Sequence, residues 1–80
     1  MKTIRVQYFA ILREQRGLSE ESISTGAATA ADLYEELRSR HGFSLPGARV
    51  RAAINDDFVA ASAKISEGDT IVFIPPVAGG

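Results

Sequence analysis

The chain has no cysteine and no tryptophan, and it has one histidine and three prolines among its 80 residues. Without cysteine it can form no disulfide, no thiolate metal site and no thiol nucleophile. Its formal net charge is −1, which argues against nucleic-acid binding, since that function needs a basic excess. No apolar run reaches membrane-spanning length, and the first residues alternate like a strand, unlike a signal peptide. We therefore expect a cytoplasmic protein without nucleic-acid or membrane partners.

The length of 80 residues predicts one small domain over residues 1–80. A chain of this size has room for one core and little volume for a deep, preformed active site. The hydrophobic fraction of 45% and charged fraction of 24% are those of an ordinary globular protein. Size and composition favour a carrier or binding module over an enzyme that works alone.

Periodicity in the first third predicts a strand, a short helix and a second strand. Residues 2–9 alternate apolar and polar side chains, which is typical of a half-buried strand. Residues 10–16 contain good helix formers, and Gly17 is expected to end the helix. Residues 20–25 are predicted to form a short, mostly polar second strand, with Ile23 as the expected core residue.

The middle of the chain predicts the main helix. Thr29 is positioned to cap the helix start, with Asp32 where a capping-box acid would lie. Gly42 is the expected stop. The apolar stripe consists of Leu33, Tyr34 and Leu37.

Three further strands are predicted after this helix. We expect strands over residues 50–54, 58–60 and 70–74, with a turn at 55–57. The last strand is apolar on both faces, which is typical of a central strand. One helix covers one face of a small sheet, so the other face is covered by loops or exposed as a partner surface. The order predicts an α+β domain with one main helix packed across a mixed sheet.

The chain ends in Gly79 and Gly80 behind Pro75 and Pro76. Glycines lack side chains, so such an end can thread a narrow cleft, and the terminal carboxylate is a group that ATP-dependent adenylation can activate. Prolines fix φ and disfavour helix, which predicts a stiff exit from the strand. Residues 77–80 then span at most about 13 Å. We expect residues 75–80 to form a flexible tail. Two terminal glycines alone are weak evidence, because termini are often disordered and glycine is common.

Three segments together resemble the MoaD/ThiS family of ubiquitin-like, β-grasp proteins, and within it the sulfur-carrier (small) subunit of molybdopterin synthase. The resemblance covers essentially the whole chain. The segments are Tyr8-Phe9-Ala10-Ile11-Leu12-Arg13-Glu14, Ala52-Ala53-Ile54-Asn55, and Gly68-Asp69-Thr70 running through Ile71-Val72-Phe73-Ile74-Pro75-Pro76 to Val77-Ala78-Gly79-Gly80. Ile74 and Ala78 stand where family members often have Phe and Thr, which bears on partner specificity.

The resemblance implies a sulfur carrier in molybdenum cofactor biosynthesis. An E1-like adenylyltransferase would adenylate Gly80 with ATP, a sulfurtransferase would convert it to a thiocarboxylate, and the molybdopterin synthase large subunit would bind the tail within a heterotetramer. Sulfur would pass there to a cyclic pterin precursor. The carrier would hold no cofactor and no metal, and would be active only with its large subunit.

The resemblance also implies site residues. The reacting end would be Gly79 and Gly80. The partner-binding residues would be Phe9, Arg13, Phe73, Ile74, Pro75, Pro76, Val77 and Ala78. An ordinary reading competes for two of them: Phe9 could be covered by the short helix, and Arg13 could be a solvated surface charge.

Three alternatives stay open at this point. The chain could carry sulfur for thiazole synthesis or tRNA thiolation, could be a ubiquitin-like modifier joined through Gly80 to lysines of other proteins, or could be an interaction module with an inert tail. His41 at the helix end and the Asp56-Asp57 pair in a turn are explained by their local structure.

Overall fold

The computed structural model describes residues 1–76, which form two α-helices and five β-strands. In chain order the elements are β1 (Lys2–Tyr8), α1 (Ala10–Arg16), β2 (Glu20–Thr25), α2 (Ala30–His41), β3 (Arg51–Ile54), β4 (Asp57–Val59) and β5 (Thr70–Ile74). A turn of 3-10 helix, Gly47–Arg49, precedes β3.

The five strands form one mixed sheet in the order β2-β1-β5-β3-β4. The first and last strands, β1 and β5, are parallel neighbours in its centre, and the other pairs are antiparallel. The prediction that the last strand is central is confirmed. Because β1 and β5 run in the same direction, with Tyr8 opposite Phe73, both strands end at the same edge of the sheet.

Helix α2 and one face of the sheet enclose the core. Ile71 and Phe73 of β5 point to this face, and Val72 and Ile74 point to the other, as the alternation predicted. The core residues are Ile4, Val6, Tyr8, Leu12, Ala30, Leu33, Tyr34, Leu37, Phe43, Ala52, Ile65, Ile71 and Phe73. The α+β, β-grasp architecture predicted from the sequence is confirmed.

Local signals fix the ends of both helices. The Thr29 hydroxyl accepts a hydrogen bond from the Asp32 N–H at 3.1 Å, so the predicted cap of α2 is present. Gly42 follows α2 with φ 71°, a left-handed conformation that favours glycine. Gly17 ends α1 in the same way, with φ 83°. These residues explain why α2 begins and ends, and why α1 ends, where the sequence predicted.

The segment around β3 and β4 differs from the prediction. Asn55 and Asp56 have φ of 51° and 75°, so these two residues form the whole hairpin turn and Asp57 already pairs in β4 opposite Ile54. Val50 follows the 3-10 turn and is not part of β3. Within residues 1–76, no helix is long and apolar enough to cross a membrane.

Candidate partner-binding site at the end of the central strands

An apolar groove of about 450 Å³ lies at the edge where β1 and β5 end. It is an open, shallow surface feature, and this shape suits a docking side chain or segment better than an enclosed small molecule. The residues lining it come from the start of α1, the loop after α2 and the chain that follows β5. They are Phe9, Ala10, Ile11, Leu45, Ile74, Pro75 and Pro76.

Phe9 is 46% exposed and forms one wall of the groove. The parallel register that sets Tyr8 beside Phe73 brings Phe9 level with Ile74, at the end of β5. Ala10 has φ 51°, which is unusual for a residue other than glycine. The chain therefore turns sharply after Phe9, and α1 begins at the mouth of the groove. The alternative that α1 covers Phe9 does not hold.

The chain leaves β5 through the same groove. Pro75 is buried and Pro76 is exposed, so the predicted tail starts packed against the protein and then turns to solvent. The predicted site residues Val77, Ala78, Gly79 and Gly80 lie outside the described residues.

Phe73 does not belong to this surface. Its side chain is 1% exposed and packs edge-on against Tyr34, with ring centroids 5.2 Å apart. A side chain with so little exposed area offers nothing for a partner to contact. The prediction that Phe73 binds a partner is therefore wrong: alternation places it in the core, and Ile74 is the residue of this pair on the surface.

Arg13 is exposed on α1, two residues after Ile11, which lines the groove. Among the side chains of residues 1–76 it takes part in no ion pair. The geometry leaves its guanidinium available to a partner, as the resemblance implied, and also allows the simpler role of a solvated charge.

Phe58 is a surface residue that the sequence reasoning missed. It is 61% exposed on β4 and lies opposite Ala53, on the sheet face away from α2. The Arg51 guanidinium lies 4.6 Å from the centre of its ring, a cation–π contact. Since Arg51 pairs with Ile74, this aromatic side chain extends the apolar surface away from the groove. Recognising a two-residue turn at Asn55-Asp56 in the sequence would have set the hairpin register, and with it the face on which Phe58 lies.

A polar cluster fixes the far end of α1. Arg16 donates two hydrogen bonds of 2.8 Å to the Glu21 carboxylate, and the Tyr8 hydroxyl donates a third of 2.7 Å. The Arg16 hydrogen bond holds the pKa of Glu21 at about 2, below its ordinary 4.5. Burial, followed by the Glu21 contact, raises the pKa of Tyr8. Burial and then the nearby Arg16 lower the pKa of His41. The cluster is thus an ion pair at neutral pH.

A second set of hydrogen bonds holds the opposite wall of the groove. The Gln15 amide donates to the Ser44 hydroxyl at 2.9 Å and accepts from the Ser44 N–H at 3.1 Å. The Tyr34 hydroxyl donates to the Leu45 carbonyl at 2.8 Å. Because a seven-residue helix is unstable alone, these contacts and the buried Leu12 determine where α1 lies and therefore the shape of the groove.

Two motif residues outside the groove have a structural role. Asn55 donates to Asp69 at 3.0 Å and accepts from the Thr70 N–H at 3.0 Å. Asp69 accepts a further bond of 2.8 Å from the Ser66 N–H. This network ties the β3–β4 hairpin to the start of β5. The Asn and Gly-Asp motifs therefore stabilise the strand that carries the tail.

The chemistry of this surface is that of binding. Within residues 1–76, no group of three or more His, Asp or Glu side chains is close enough to hold a metal ion. The groove itself is lined by apolar side chains, which can exclude water and bury partner surface but cannot transfer a proton or attack a substrate.

Two curated relatives match nearly the full chain. The chain is 29% identical to the molybdopterin synthase sulfur carrier subunit of Escherichia coli (strain K12) over 80 residues, which cover 96% of this chain and 99% of the relative. It is 30% identical to the protein of the same description from Haemophilus influenzae, with the same coverage.

Solved structures share the fold. The putative molybdopterin converting factor subunit 1 of Pyrococcus furiosus matches with a TM-score of 0.77 and 30% identity, covering 96% of this chain and all of that chain. SAMP1 of Haloferax volcanii matches with a TM-score of 0.76 and 25% identity, covering 98% and 99%. A chain of the BexX/CysO complex of Amycolatopsis orientalis matches with a TM-score of 0.70 and 27% identity, covering 96% and 99%. The sequence profile of the ThiS family matches residues 6–80, and the chain belongs to that family.

Proposed function

We propose that this protein is a sulfur carrier in molybdenum cofactor biosynthesis, with the C-terminal carboxylate of Gly80 as its reacting group. The observation that carries the proposal is the apolar groove at the point where the chain leaves β5, in a protein with two sulfur-carrier relatives of nearly equal length. The groove supplies a docking surface beside the reacting end, and the reaction itself takes place in the partner's active site.

The reaction proceeds in three steps. The Gly80 carboxylate attacks the α-phosphate of ATP, giving an acyl-adenylate and pyrophosphate. The terminal sulfur of a persulfide on a sulfurtransferase then displaces AMP and gives an acyl disulfide. A second thiol of that enzyme cleaves the S–S bond, forms a disulfide with the first sulfur and leaves the thiocarboxylate on Gly80. In the large-subunit active site this sulfur passes to the cyclic pterin precursor, and hydrolysis returns the Gly80 carboxylate. Two such transfers supply the two sulfurs of molybdopterin. The chain has no cysteine thiol, so the sulfur to be transferred is held on the carbonyl carbon of Gly80.

The same groove serves the activating enzyme and the large subunit in turn. Phe9 and Ile74 provide exposed apolar area on either side of the exit, and Pro76 directs the chain outward. Arg13 adds a positive charge at the rim. Central apolar contacts surrounded by charge are the usual arrangement at protein interfaces. We place the reaction in the cytoplasm, where ATP is available, and the complex with the large subunit is a heterotetramer.

The test is the intact mass of the protein after incubation with ATP, an E1-like adenylyltransferase and a sulfur source. Replacement of one carboxylate oxygen by sulfur raises the mass by the difference between these two atoms, and the thiocarboxylate then converts the pterin precursor when the large subunit is added. A variant lacking Gly80 is the matched control. An unchanged mass in the presence of an enzyme that activates the Escherichia coli relative would overturn the proposal.

The second candidate function is conjugation to other proteins. Its support is the match to Haloferax volcanii SAMP1 at 25% identity, a protein that a second structure describes as small archaeal modifier protein 1. The first step, adenylation of Gly80, is shared. Peptides carrying a Gly-Gly remnant on lysine in digests of producing cells support this candidate, and complementation of a strain lacking the molybdopterin synthase carrier supports the first. Carriers for thiazole synthesis or tRNA thiolation fail that complementation.

A further inference from the structure

Most cationic residues of this chain are arginines, and few are lysines. Of the nine basic residues, seven are arginine, and the lysines are Lys2 and Lys64. A guanidinium stays protonated in proteins and is not a nucleophile, whereas a lysine amine loses its proton readily enough to attack an activated carbonyl. For a protein whose own carboxylate becomes activated, the position of each amine therefore decides whether the protein acylates itself.

Three arginines lie on the segments that surround the exit of the tail. Arg51 pairs directly with Ile74, the last residue of β5, so their Cα atoms are about 5 Å apart. Arg49 lies two residues earlier, at the end of the 3-10 turn. Arg13 lies on α1, whose residue Ile11 lines the groove. All three arginines are exposed.

Lys2 is kept away from the tail. It lies seven residues before Phe9 in sequence, at the far end of β1, which is about 23 Å along the strand. Residues 77–80 span at most about 13 Å beyond Pro76, and a lysine side chain adds about 6 Å. The Lys2 ammonium also donates a 2.7 Å hydrogen bond to the Ala27 carbonyl. Lys2 therefore lies at the opposite end of the sheet from the exit of the tail, with its ammonium already hydrogen-bonded.

Lys64 lies in the connection between β4 and β5. Its backbone forms a bridge with Thr29, the residue that caps α2, and the neighbouring Ile65 is buried in the core beneath the sheet. This places Lys64 on the helix side of the sheet. Arg51 and Phe58 occupy the opposite face.

We infer that arginine at positions 13, 49 and 51 determines which nucleophile takes the activated acyl group: these side chains give the exit its positive charge without an amine that the Gly80 carbonyl could acylate. The inference rests on the proposed activation of Gly80. An amine at the exit would attack the activated carbonyl, form an amide, expel the leaving group with one proton, and close a lactam that can no longer carry sulfur. With guanidinium groups there, no side chain at the exit competes with water or with the nucleophile that a partner supplies.

The test uses the full-length chain as a Gly80 α-thioester, prepared by thiolysis of an intein fusion, so that no activating enzyme is needed. Wild type, Arg51→Lys, Arg13→Lys and the control Arg40→Lys are incubated at micromolar concentration at pH 8.5 and followed by intact mass. Arg40 is a suitable control because it lies far from the exit of the tail. It pairs with Glu36, and the other oxygen of Glu36 accepts a hydrogen bond from Thr25. Thr25 pairs with Lys2 at the far end of β1.

Arg51→Lys and Arg13→Lys are expected to cyclise and give a product one water lighter than the free acid. The expected rate is about that at which 1 mM free lysine amide reacts with the wild-type thioester. Wild type and Arg40→Lys give only the hydrolysed acid. Peptide mapping then locates the Gly80 amide at the new lysine.

Cyclisation of the wild-type protein through Lys2 or Lys64 would overturn the inference, as would equal lactam yields from Arg40→Lys and Arg51→Lys. Absence of lactam in both exit variants, with each still folded by circular dichroism, would overturn it as well. Since the thioester is made without the adenylyltransferase, these outcomes are independent of the test of the proposed function.

Discussion

Replacing Glu21 by glutamine removes the charge at the centre of the cluster that anchors α1. The carboxylate accepts two hydrogen bonds from Arg16 and one from Tyr8. The Arg16 and Glu21 side chains are 25% and 15% exposed, so the pair is desolvated more than a surface ion pair. Charge-assisted hydrogen bonds contribute about 1.5–3 kcal/mol each when partly buried, and glutamine retains one acceptor. We expect Glu21→Gln to lower the free energy of unfolding by about 2 kcal/mol at pH 7, which for a domain of this size is about 10 °C in Tm.

The difference between wild type and Glu21→Gln depends on pH in a defined direction. The pKa of Glu21 is about 2 in the folded protein, below its ordinary 4.5, so the stabilising contribution is complete above about pH 5 and is lost as the pH falls toward 2. The variant has no such contribution to lose. Urea denaturation followed by circular dichroism, at pH 7 and at pH values between 5 and 2.5, should therefore show the two midpoints converging as the pH falls.

Glu20→Gln is the matched control. Glu20 pairs with Arg5 at 2.6 Å, but these side chains are 44% and 55% exposed, and exposed pairs contribute about 0–1 kcal/mol. If Glu21→Gln lowers the free energy of unfolding no more than Glu20→Gln does, or if its effect is unchanged between pH 7 and pH 2.5, the Arg16–Glu21 ion pair does not stabilise the position of α1.

Two further substitutions test other features. Asn55→Ala removes hydrogen bonds to Asp69 and Thr70 from a residue with φ 51°, and should lower the free energy of unfolding by about 2–3 kcal/mol in urea titrations; a loss below about 0.5 kcal/mol would contradict the role of this network. Phe9→Ser should weaken binding of the large subunit at least about tenfold by calorimetry while changing Tm by only a few degrees, because Phe9 is half exposed and lies in the groove. Leu18→Ser, at a similarly exposed position outside the groove, is the control, and equal losses from both variants would refute a specific role for Phe9.

Local sequence signals predicted most of the secondary structure. The bounds of α1, β2 and β5 agree with the sequence pattern because each is delimited by residues with strong conformational preferences, such as Gly17 after α1. β1 ends one residue before the predicted Phe9, which instead precedes α1. The errors of one residue at β3 and β4 arose where polar residues form a tighter turn than their composition indicates, with left-handed backbone at Asn55 and Asp56.

The candidate site was predicted less completely, because it depends on which strands are neighbours. Alternation correctly separates Phe73 from Ile74, but only the parallel register of β1 and β5 shows that Phe9 is level with Ile74. Likewise, no local pattern relates Arg16 to Glu21 and Tyr8, since they meet through the β1–β2 pairing. The sequence supplied the residues of the site, and the sheet topology determined which of them share a surface.

The parallel pairing of β1 with β5 has a consequence for biosynthesis. β1 is synthesised first, but it cannot pair with β5 until nearly the whole chain has been made, because residues 5–8 pair with residues 70–73. Such long-range pairing is the slow step in folding small domains, and translation proceeds from the N-terminus. Neither the sheet nor the docking groove exists until β5 and its prolines have emerged. A nascent or truncated chain therefore lacks the completed groove, and a partner that binds the groove as proposed would select finished, folded chains.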